Sequence, residues 1–201
     1  MEPNSVHTKD KIFSTALRLF ADNGYEKVSV RAIADAVGIK VSSIYNHYKN
    51  KEQILEACYK FYSDNHNLTR LSKEQYEPIL KNGSKYEVME IFNYQFHESL
   101  SENLVLSLFV IYSRIYTDEK ACEIYVNEIN TSIQYIEELF MTGIEVGRFN
   151  EFNIQPFALM ILSSRMFAAQ CATIKPELKG KWQGIELDAY SELVNYLPFK
   201  Y

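Results

Sequence analysis

The segment GIKVSSIYNHYKNKEQIL, which begins at Gly38, contains the side chains with the clearest potential for binding chemistry. At 100° per residue, a helix over its centre places Ser42, Ser43, Asn46 and His47 on one side. This side carries hydroxyl, amide and imidazole groups, whereas a helix face that merely meets solvent usually carries Lys and Glu. Short hydrogen-bonding groups suit base edges and phosphates in a DNA major groove.

The opposite side of the same predicted helix is apolar. Val41, Ile44 and Tyr48 fall together there, with Tyr45 at the edge. A short helix precedes it and ends at Gly38, which can take the positive φ of a tight turn. Two short helices joined by such a turn predict a helix-turn-helix, the unit that reads DNA. A polar turn inside an ordinary helical bundle is the alternative interpretation.

Charge is distributed unevenly along the 201 residues. Residues 1–51 hold eight Lys and Arg against five Asp and Glu, although the whole chain has a net charge of −5. Residues 52–201 hold 13 basic against 21 acidic side chains. A basic head on an acidic body predicts that the head, and not the body, meets a polyanion.

The elements that must position these residues are predicted to be helices. Gly (7) and Pro (5) are scarce, and no segment shows sustained alternation of apolar and polar residues, so we expect an all-α fold of about nine to ten helices. The predicted helices are 9–23, 30–37, 41–48, 51–67, 68–80, 85–101, 103–116, 118–147, 154–174 and 184–197. We expect a three-helix DNA-binding domain at 1–50 and a larger helical domain at 51–201, connected by the 51–67 helix.

Capping residues support the amino-terminal boundaries. Thr8 is the predicted N-cap of the first helix and Gly24 its end. Ser29 is the predicted N-cap of the second helix. Asn50 is the predicted N-cap of the fourth, where Gln53 completes a pair similar to a capping box.

The run SVRAIADAVGIKVSSIYNHYKNKEQIL resembles the amino-terminal domain of the TetR family of bacterial repressors. The preceding IFSTALRLFADNGYEKVSV resembles that family's first helix and its "F-x-x-x-G-Y/F" ending. The resemblance covers about residues 9–60, and the remainder matches only in helical layout and length. It implies a helix-turn-helix domain joined to a domain that binds a small-molecule effector and forms a homodimer.

The resemblance also implies which residues bind DNA. The implied set is Ser29, Val30, Arg31, Lys40, Val41, Ser42, Ser43, Tyr45, Asn46, His47 and Lys51. Backbone N–H groups at Ser29 and Val30 would hold a phosphate at the positive end of the helix dipole. Arg31 and Lys51 would also contact phosphate.

The recognition helix both follows and departs from the family pattern. Tyr45 and His47 resemble the family's paired phosphate-contacting residues, and the other outward side chains face the bases. Lys40 stands where the family usually has Ser or Thr, and its side chain cannot accept a hydrogen bond as a cap. Val41 and Ser42 replace a frequent Lys or Arg and a frequent Gly, which leaves the base preference open.

The body of the chain is rich in aromatic residues, with 23 of the 28 lying beyond residue 51. Core packing explains most of them individually, but an aromatic cavity with a few polar groups is typical of a small-molecule site. The predicted effector-binding residues are Tyr94, His97, Phe109, Tyr112, Tyr116, Phe140 and Met160. Polar residues such as Arg114 interrupt otherwise apolar helices of this region. A cationic effector and a neutral, lipophilic one are both compatible with the composition.

The last two predicted helices, 154–174 and 184–197, are apolar on more than one side, and small residues there allow close helix approach. The resemblance implies that this pair forms a homodimer interface. Arg165 in this run would need a partner, a ligand or solvent. A dimer predicts a palindromic operator with half-sites about one helical turn, ~34–36 Å, apart.

Other function classes lack their sequence signals. Three widely spaced cysteines and four histidines show no metal-ligand spacing, and HExxH, P-loop and GxSxG motifs are absent. We therefore expect no enzyme, no cofactor and no metal. The odd cysteine count fits a reducing cytoplasm, the amino terminus has no apolar signal sequence, and the longest apolar run, near 157–169, is too short for a membrane span.

These observations predict a dimeric DNA-binding regulator. A repressor released from double-stranded DNA by a small hydrophobic or aromatic effector is the principal hypothesis. The effector would pivot the 51–67 helix and change the spacing of the two heads. A helix-turn-helix regulator controlled by a protein partner, or acting without a ligand, is the alternative, and activation uses the same binding head.

Overall fold

The computed structural model describes residues 3–93, 101–173 and 199–200. Within these ranges the chain forms nine α-helices: α1 (Pro3–Asn23), α2 (Val30–Val37), α3 (Val41–Tyr45), α4 (Lys51–Asn65), α5 (Lys73–Asn82), α6 (Lys85–Asn93), α7 (Glu102–Arg114), α8 (Glu119–Glu145) and α9 (Ile154–Thr173). Short 3₁₀ helices lie at Tyr25–Lys27 and His66–Thr69. The described residues contain no strand, only an isolated antiparallel bridge between Phe149 and Phe199. The all-α prediction is confirmed.

The predicted starts of two helices in the first 80 residues are wrong. The first helix begins at Pro3, so Thr8 lies inside it and is not its N-cap. The single helix predicted for 68–80 is instead a 3₁₀ turn followed by α5, which begins after Ser72. The Ser72 N–H donates to the Gln75 side chain at 2.8 Å, and this local bond marks the true helix start.

The recognition helix is also shorter than predicted, because α3 ends at Tyr45 and not at Tyr48. The N–H groups of His47 and Tyr48 both donate to the Ile44 carbonyl at 2.9 Å, so the last turn is tightened. The predicted 85–101 helix is described only to Asn93, as α6. The predicted helix 184–197 lies outside the described residues.

The chain divides into two compact units by packing. The first comprises residues 1–67 and 101–125. In it α1 packs against α2, α4 and α7, α2 packs against α3, and α4 packs against α7. Its most buried side chains include Ile12, Ala16, Leu17, Phe20, Ile33, Ala34, Ile44, Ile54, Cys58 and Ile111. Burial raises the pKa of the Cys58 thiol to about 12, so this cysteine is an apolar core residue at neutral pH.

The second unit comprises residues 68–100 and 126–201, and aromatic rings dominate its described core. The Phe140 ring lies 4.7 Å from that of Phe92, 5.6 Å from Phe149 and 5.2 Å from Phe152, measured between centroids. Gly143 on α8 permits Phe149 to pack against this helix, since a Cβ there would lie 2.3 Å from a ring carbon of Phe149.

A polar cluster lies beside this aromatic core. Arg70 is only 12% exposed and its Nη2 lies 3.2 Å from Oε1 of Glu128. The same nitrogen donates to the hydroxyls of Thr131 and Ser132 at 3.1 Å. The Tyr135 hydroxyl accepts a hydrogen bond from the Leu71 N–H at 3.1 Å. These bonds hold the start of the second unit's chain against α8.

The two compact units differ in extent from the predicted functional domains. Helix α4 packs with the amino-terminal helices, and so do α7 and the first residues of α8. The functional division near residue 50 concerns which part meets DNA, and it stays a prediction.

Candidate nucleic-acid interface

The start of α2 is built as the sequence predicts. The Ser29 hydroxyl accepts the Ala32 N–H at 3.1 Å, which makes Ser29 the N-cap. Ser29 and Arg31 are exposed, whereas Ile33 on the inner side is fully buried. The helix ends at Gly38, whose φ of 80° is the left-handed conformation that favours glycine. The start of α2 and the Arg31 side chain are therefore accessible to a partner.

The recognition helix α3 has one anchored side and one exposed side. Ile44 and Tyr48 are 1% and 4% exposed, so both predicted anchors are buried. Val41, the third, is only half-buried. Burial raises the pKa of Tyr48 to about 12, and the negative charge of Asp10 adds to this effect.

The outward side of α3 is accessible to a partner. Ser42, Tyr45 and Asn46 are exposed, with Tyr45 at 53%, and Ser43 and His47 are half-buried at the margins. The outward side therefore offers hydroxyl and amide groups, as base-edge contacts require.

Lys40 occupies the N-cap position of α3 and makes no side-chain capping bond. Its own carbonyl accepts the Ser43 N–H at 2.9 Å, so the first turn closes through backbone alone. The Lys40 side chain is exposed beside the open face of α3. Its ammonium group is therefore accessible to an approaching phosphate.

The start of α4 carries the last predicted DNA contact. The Asn50 side chain accepts the Gln53 N–H at 2.9 Å, and the Gln53 side chain accepts the Lys49 N–H at 2.6 Å. Asn50 and Gln53 therefore resemble a capping box, except that the Gln53 side chain accepts the N–H of Lys49 and not that of the N-cap Asn50. The Lys51 ammonium donates to the Tyr25 backbone carbonyl at 3.0 Å and lies 4.0 Å from the centroid of the Tyr25 ring. The Lys51 side chain is half-buried in this position.

A polar network that was not predicted from the sequence surrounds the Tyr25 ring. The Arg114 guanidinium, 13% exposed, lies 3.0 Å from Glu26 Oε1 and 3.4 Å from Asp118 Oδ2. Its central carbon is 4.4 Å from the centroid of the Tyr25 ring. The Tyr59 hydroxyl donates to Asp118 at 2.8 Å. The signal available in the sequence was a charged residue in an apolar helix, but a periodic pattern names no partner.

Asp118 joins this network to the beginning of α8, where its Oδ1 accepts the Ala121 N–H at 3.2 Å. Burial by itself raises the pKa of Asp118. Hydrogen bonds from Tyr59, the Ala121 amide and Arg114 outweigh burial, so the net effect is a lowered pKa. Asp118 is therefore held as a carboxylate in the folded protein.

Replacing this carboxylate should show in the pH dependence of stability. We expect Asp118→Asn to lower the free energy of unfolding by about 1.5 kcal/mol at pH 7, since hydrogen bonds to a charged group are lost. A lowered folded pKa stabilises above the unfolded pKa of about 3.9 and less as pH falls through the folded value. The difference between variant and wild type should therefore narrow as the pH falls below about 4 in urea titrations. Glu123→Gln, which removes an exposed carboxylate on α8, is the control, and a pH-independent gap would contradict the assignment.

The predicted effector-binding residues divide between the two units. In the first unit Phe109 is half-buried, and Tyr112 and Tyr116 are 36% and 92% exposed. In the second, Phe140 is fully buried and Met160 is 49% exposed. Tyr94 and His97 lie outside the described residues, as does the side chain of Arg165.

The described residues contain no candidate metal site and no candidate membrane span. No group of three or more His, Cys, Asp and Glu in this part of the chain could hold a metal ion. None of the helices in the same part is both long and apolar enough to cross a membrane.

Sequence similarity to a known family lies in the amino-terminal part of this chain. Residues 12–58 match the model of "Bacterial regulatory proteins, tetR family". The biofilm operon icaADBC HTH-type negative transcriptional regulator IcaR of Staphylococcus epidermidis is 40% identical over 60 residues, which are 28% of this chain and 32% of that protein. The HTH-type transcriptional repressor KstR2 of Mycolicibacterium smegmatis is 39% identical over 56 residues, 28% of this chain and 27% of that protein. The match thus spans between a quarter and a third of these relatives' length.

Solved structures share the fold over nearly the whole chain. A TetR transcriptional regulator from Chloroflexus aurantiacus superposes with a TM-score of 0.69 at 18% identity, covering 99% of this chain and 100% of that one. AibR in complex with isovaleryl coenzyme A and operator DNA gives a TM-score of 0.62 at 20% identity, covering 95% and 98%. At these identities the likeness concerns the fold alone.

Proposed function

This chain belongs to the TetR family of bacterial regulatory proteins, and on that premise we propose that it is a DNA-binding transcriptional repressor. The observation that carries the proposal is the polar, accessible face of α3. Ser42 on α3 and Asn46 at its C-cap are exposed, whereas Ile44 on α3 and Tyr48 just beyond it are buried in the core. A rigid helix with outward hydroxyl and amide groups can enter a major groove and distinguish bases.

Phosphate contacts surround this reading face in the proposed complex. The amide groups after Ser29, the Arg31 guanidinium and the exposed Lys40 would bind one stretch of backbone. Tyr45 and His47 would bind phosphate at the other end of α3. The +3 charge of residues 1–51 supports this arrangement, because non-specific affinity for DNA comes largely from such contacts.

We further propose a homodimer formed by the last two helices and controlled by a small hydrophobic or aromatic effector. The aromatic body supports an effector site. AibR, which shares the fold, has been crystallised with isovaleryl coenzyme A and operator DNA, so this architecture accommodates both kinds of partner in that protein. In the proposed mechanism the effector shifts α4 and weakens operator binding. Linkage then requires DNA to weaken effector binding by the same factor.

Control by a protein partner, or by no ligand, is the second candidate. The burial of Phe140 favours it. This predicted effector-binding residue is 0% exposed and packs against other core phenylalanines, so its ring already has protein partners on several sides. A body filled in this way leaves fewer aromatic faces for a ligand.

Selection of DNA by the protein tests the proposal and does not require the operator to be known. The full chain would be incubated with a pool of duplexes randomised over about three helical turns, and bound duplexes sequenced after several rounds. We expect a palindrome with half-site centres ~34–36 Å apart. Asn46→Ala, the matched variant, should relax selection at a base pair in each half-site, since a good side-chain contact discriminates by about 1–3 kcal/mol. Enrichment of no sequence at all would refute the proposed function.

A further inference from the structure

The turn that leads into the DNA-facing part of α2 is held weakly by its own backbone. In the Tyr25–Lys27 3₁₀ turn, the Lys27 N–H donates to the Gly24 carbonyl and the Val28 N–H to the Tyr25 carbonyl, both at 3.3 Å. These are long hydrogen bonds. Ser29, the N-cap of α2, follows directly. The position of the α2 start therefore depends on what packs against the turn.

Side chains from three other helices supply that packing. The Phe20 ring of α1 meets the Tyr25 ring edge-on at 5.1 Å. Lys51 of α4 bonds the Tyr25 carbonyl and covers its ring. Arg114 of α7 lies over the same ring and pairs with Glu26 of the turn. Tyr25 is 7% exposed as a result.

Of the three side chains that pack on the turn, Arg114 also pairs with a carboxylate outside it, Asp118. The Arg114 Nε lies 3.4 Å from Asp118 Oδ2 in an ion pair, and the same carboxylate is fixed by hydrogen bonds from Tyr59 of α4 and the Ala121 amide. A guanidinium held at one edge presents its other donors in a fixed direction. Here that direction is toward Glu26.

We propose that Arg114 is a positioning residue for operator binding. It fixes the Tyr25–Lys27 turn against α4, so that the phosphate-binding start of α2 and Lys51 keep a constant spacing. Arg114 does not itself need to touch DNA, since its side chain is 13% exposed. The inference rests on the proposed function, because it assigns a task within operator binding.

The test compares Arg114→Met with Arg70→Met in the full chain. Arg70 is a matched control because it is equally buried, at 12% exposed, and forms an ion pair, but it lies in the second unit. The first measurement is amide hydrogen exchange. We expect Arg114→Met to speed exchange in residues 24–33, whereas Arg70→Met should leave those amides at the wild-type rate.

The second measurement is affinity for the duplex obtained by selection. We expect Arg114→Met to weaken operator binding about three- to tenfold, because its pair with Glu26, whose side chain is 78% exposed, is partly screened by solvent, whereas its pair with Asp118 is mostly buried. Arg114→Lys should recover little of it, because an ammonium cannot bridge Glu26 and Asp118 as a planar guanidinium does. Arg70→Met should stay within about twofold of wild type, since it leaves the turn and its contacts in place.

Unchanged exchange in residues 24–33 would overturn the proposal. So would equal losses of operator affinity in Arg114→Met and Arg70→Met, because the effect would then be general destabilisation. If the wild type selects no duplex, the proposed function fails, while the exchange experiment still decides whether Arg114 holds the turn.

Discussion

Phe140→Ala should be among the most destabilising single substitutions in the second unit, with an expected loss of about 3–5 kcal/mol in the free energy of unfolding. Phe140 is fully buried and central among the described phenylalanines. Removing its ring takes contacts from Phe92, Phe149 and Phe152 at once, and the rigid rings around the space cannot collapse to fill it. Urea unfolding followed by circular dichroism would measure the change.

Met160→Ala is the matched control for this substitution. Both residues are predicted to bind effector, but Met160 is 49% exposed, so its truncation should cost well under about 1 kcal/mol. Comparing the two variants distinguishes a residue of the packed core from a residue that lines an open site. A loss below about 1 kcal/mol for Phe140→Ala would mean that its ring lines a space open to ligand or water and is not part of a packed core.

Tyr45→Ala and His47→Ala should each weaken DNA binding roughly ten- to hundredfold, for the selected operator and for random duplexes alike. A hydrogen bond to a charged group contributes about 1.5–3 kcal/mol, and a phosphate contact carries no base information. Because the salt slope follows the number of phosphates that charged side chains neutralise, Tyr45→Ala should keep the wild-type slope of log affinity against log salt. Fluorescence anisotropy at several salt concentrations would measure both quantities.

Tyr86→Ala provides the control for these variants. Tyr86 is 73% exposed on α6 in the second unit, so its removal deletes a similar side chain far along the chain from the recognition helix. Stability should change little in Tyr45→Ala, because Ile44 and Tyr48 supply the anchors of α3. Wild-type affinity for random DNA in both Tyr45→Ala and His47→Ala would remove these residues from the phosphate-binding set.

Much of the amino-terminal region, from α1 to the start of α4, was predictable from sequence because its determinants are local. Ser29 and Asn50 cap helices through bonds to N–H groups three residues away, and Gly38 ends α2 by its own backbone conformation. The inner and outer sides of α3 follow from helical period alone. Local rules failed where bonds between neighbours compete, as at the end of α3, which closes early on the Ile44 carbonyl.

The tertiary structure decided which distant residues meet. Arg114 contacts Glu26 across 88 positions of sequence, and Tyr59 bonds Asp118 across 59. Periodicity marked Arg114 as a charged residue in an apolar helix, and only packing identified its partners. The same holds for Phe140, because a ring that fills a core and a ring that lines a cavity lie on the same apolar face. The helical periodicity of a sequence predicts which side of a helix is buried. Tertiary packing determines which residues that side contacts.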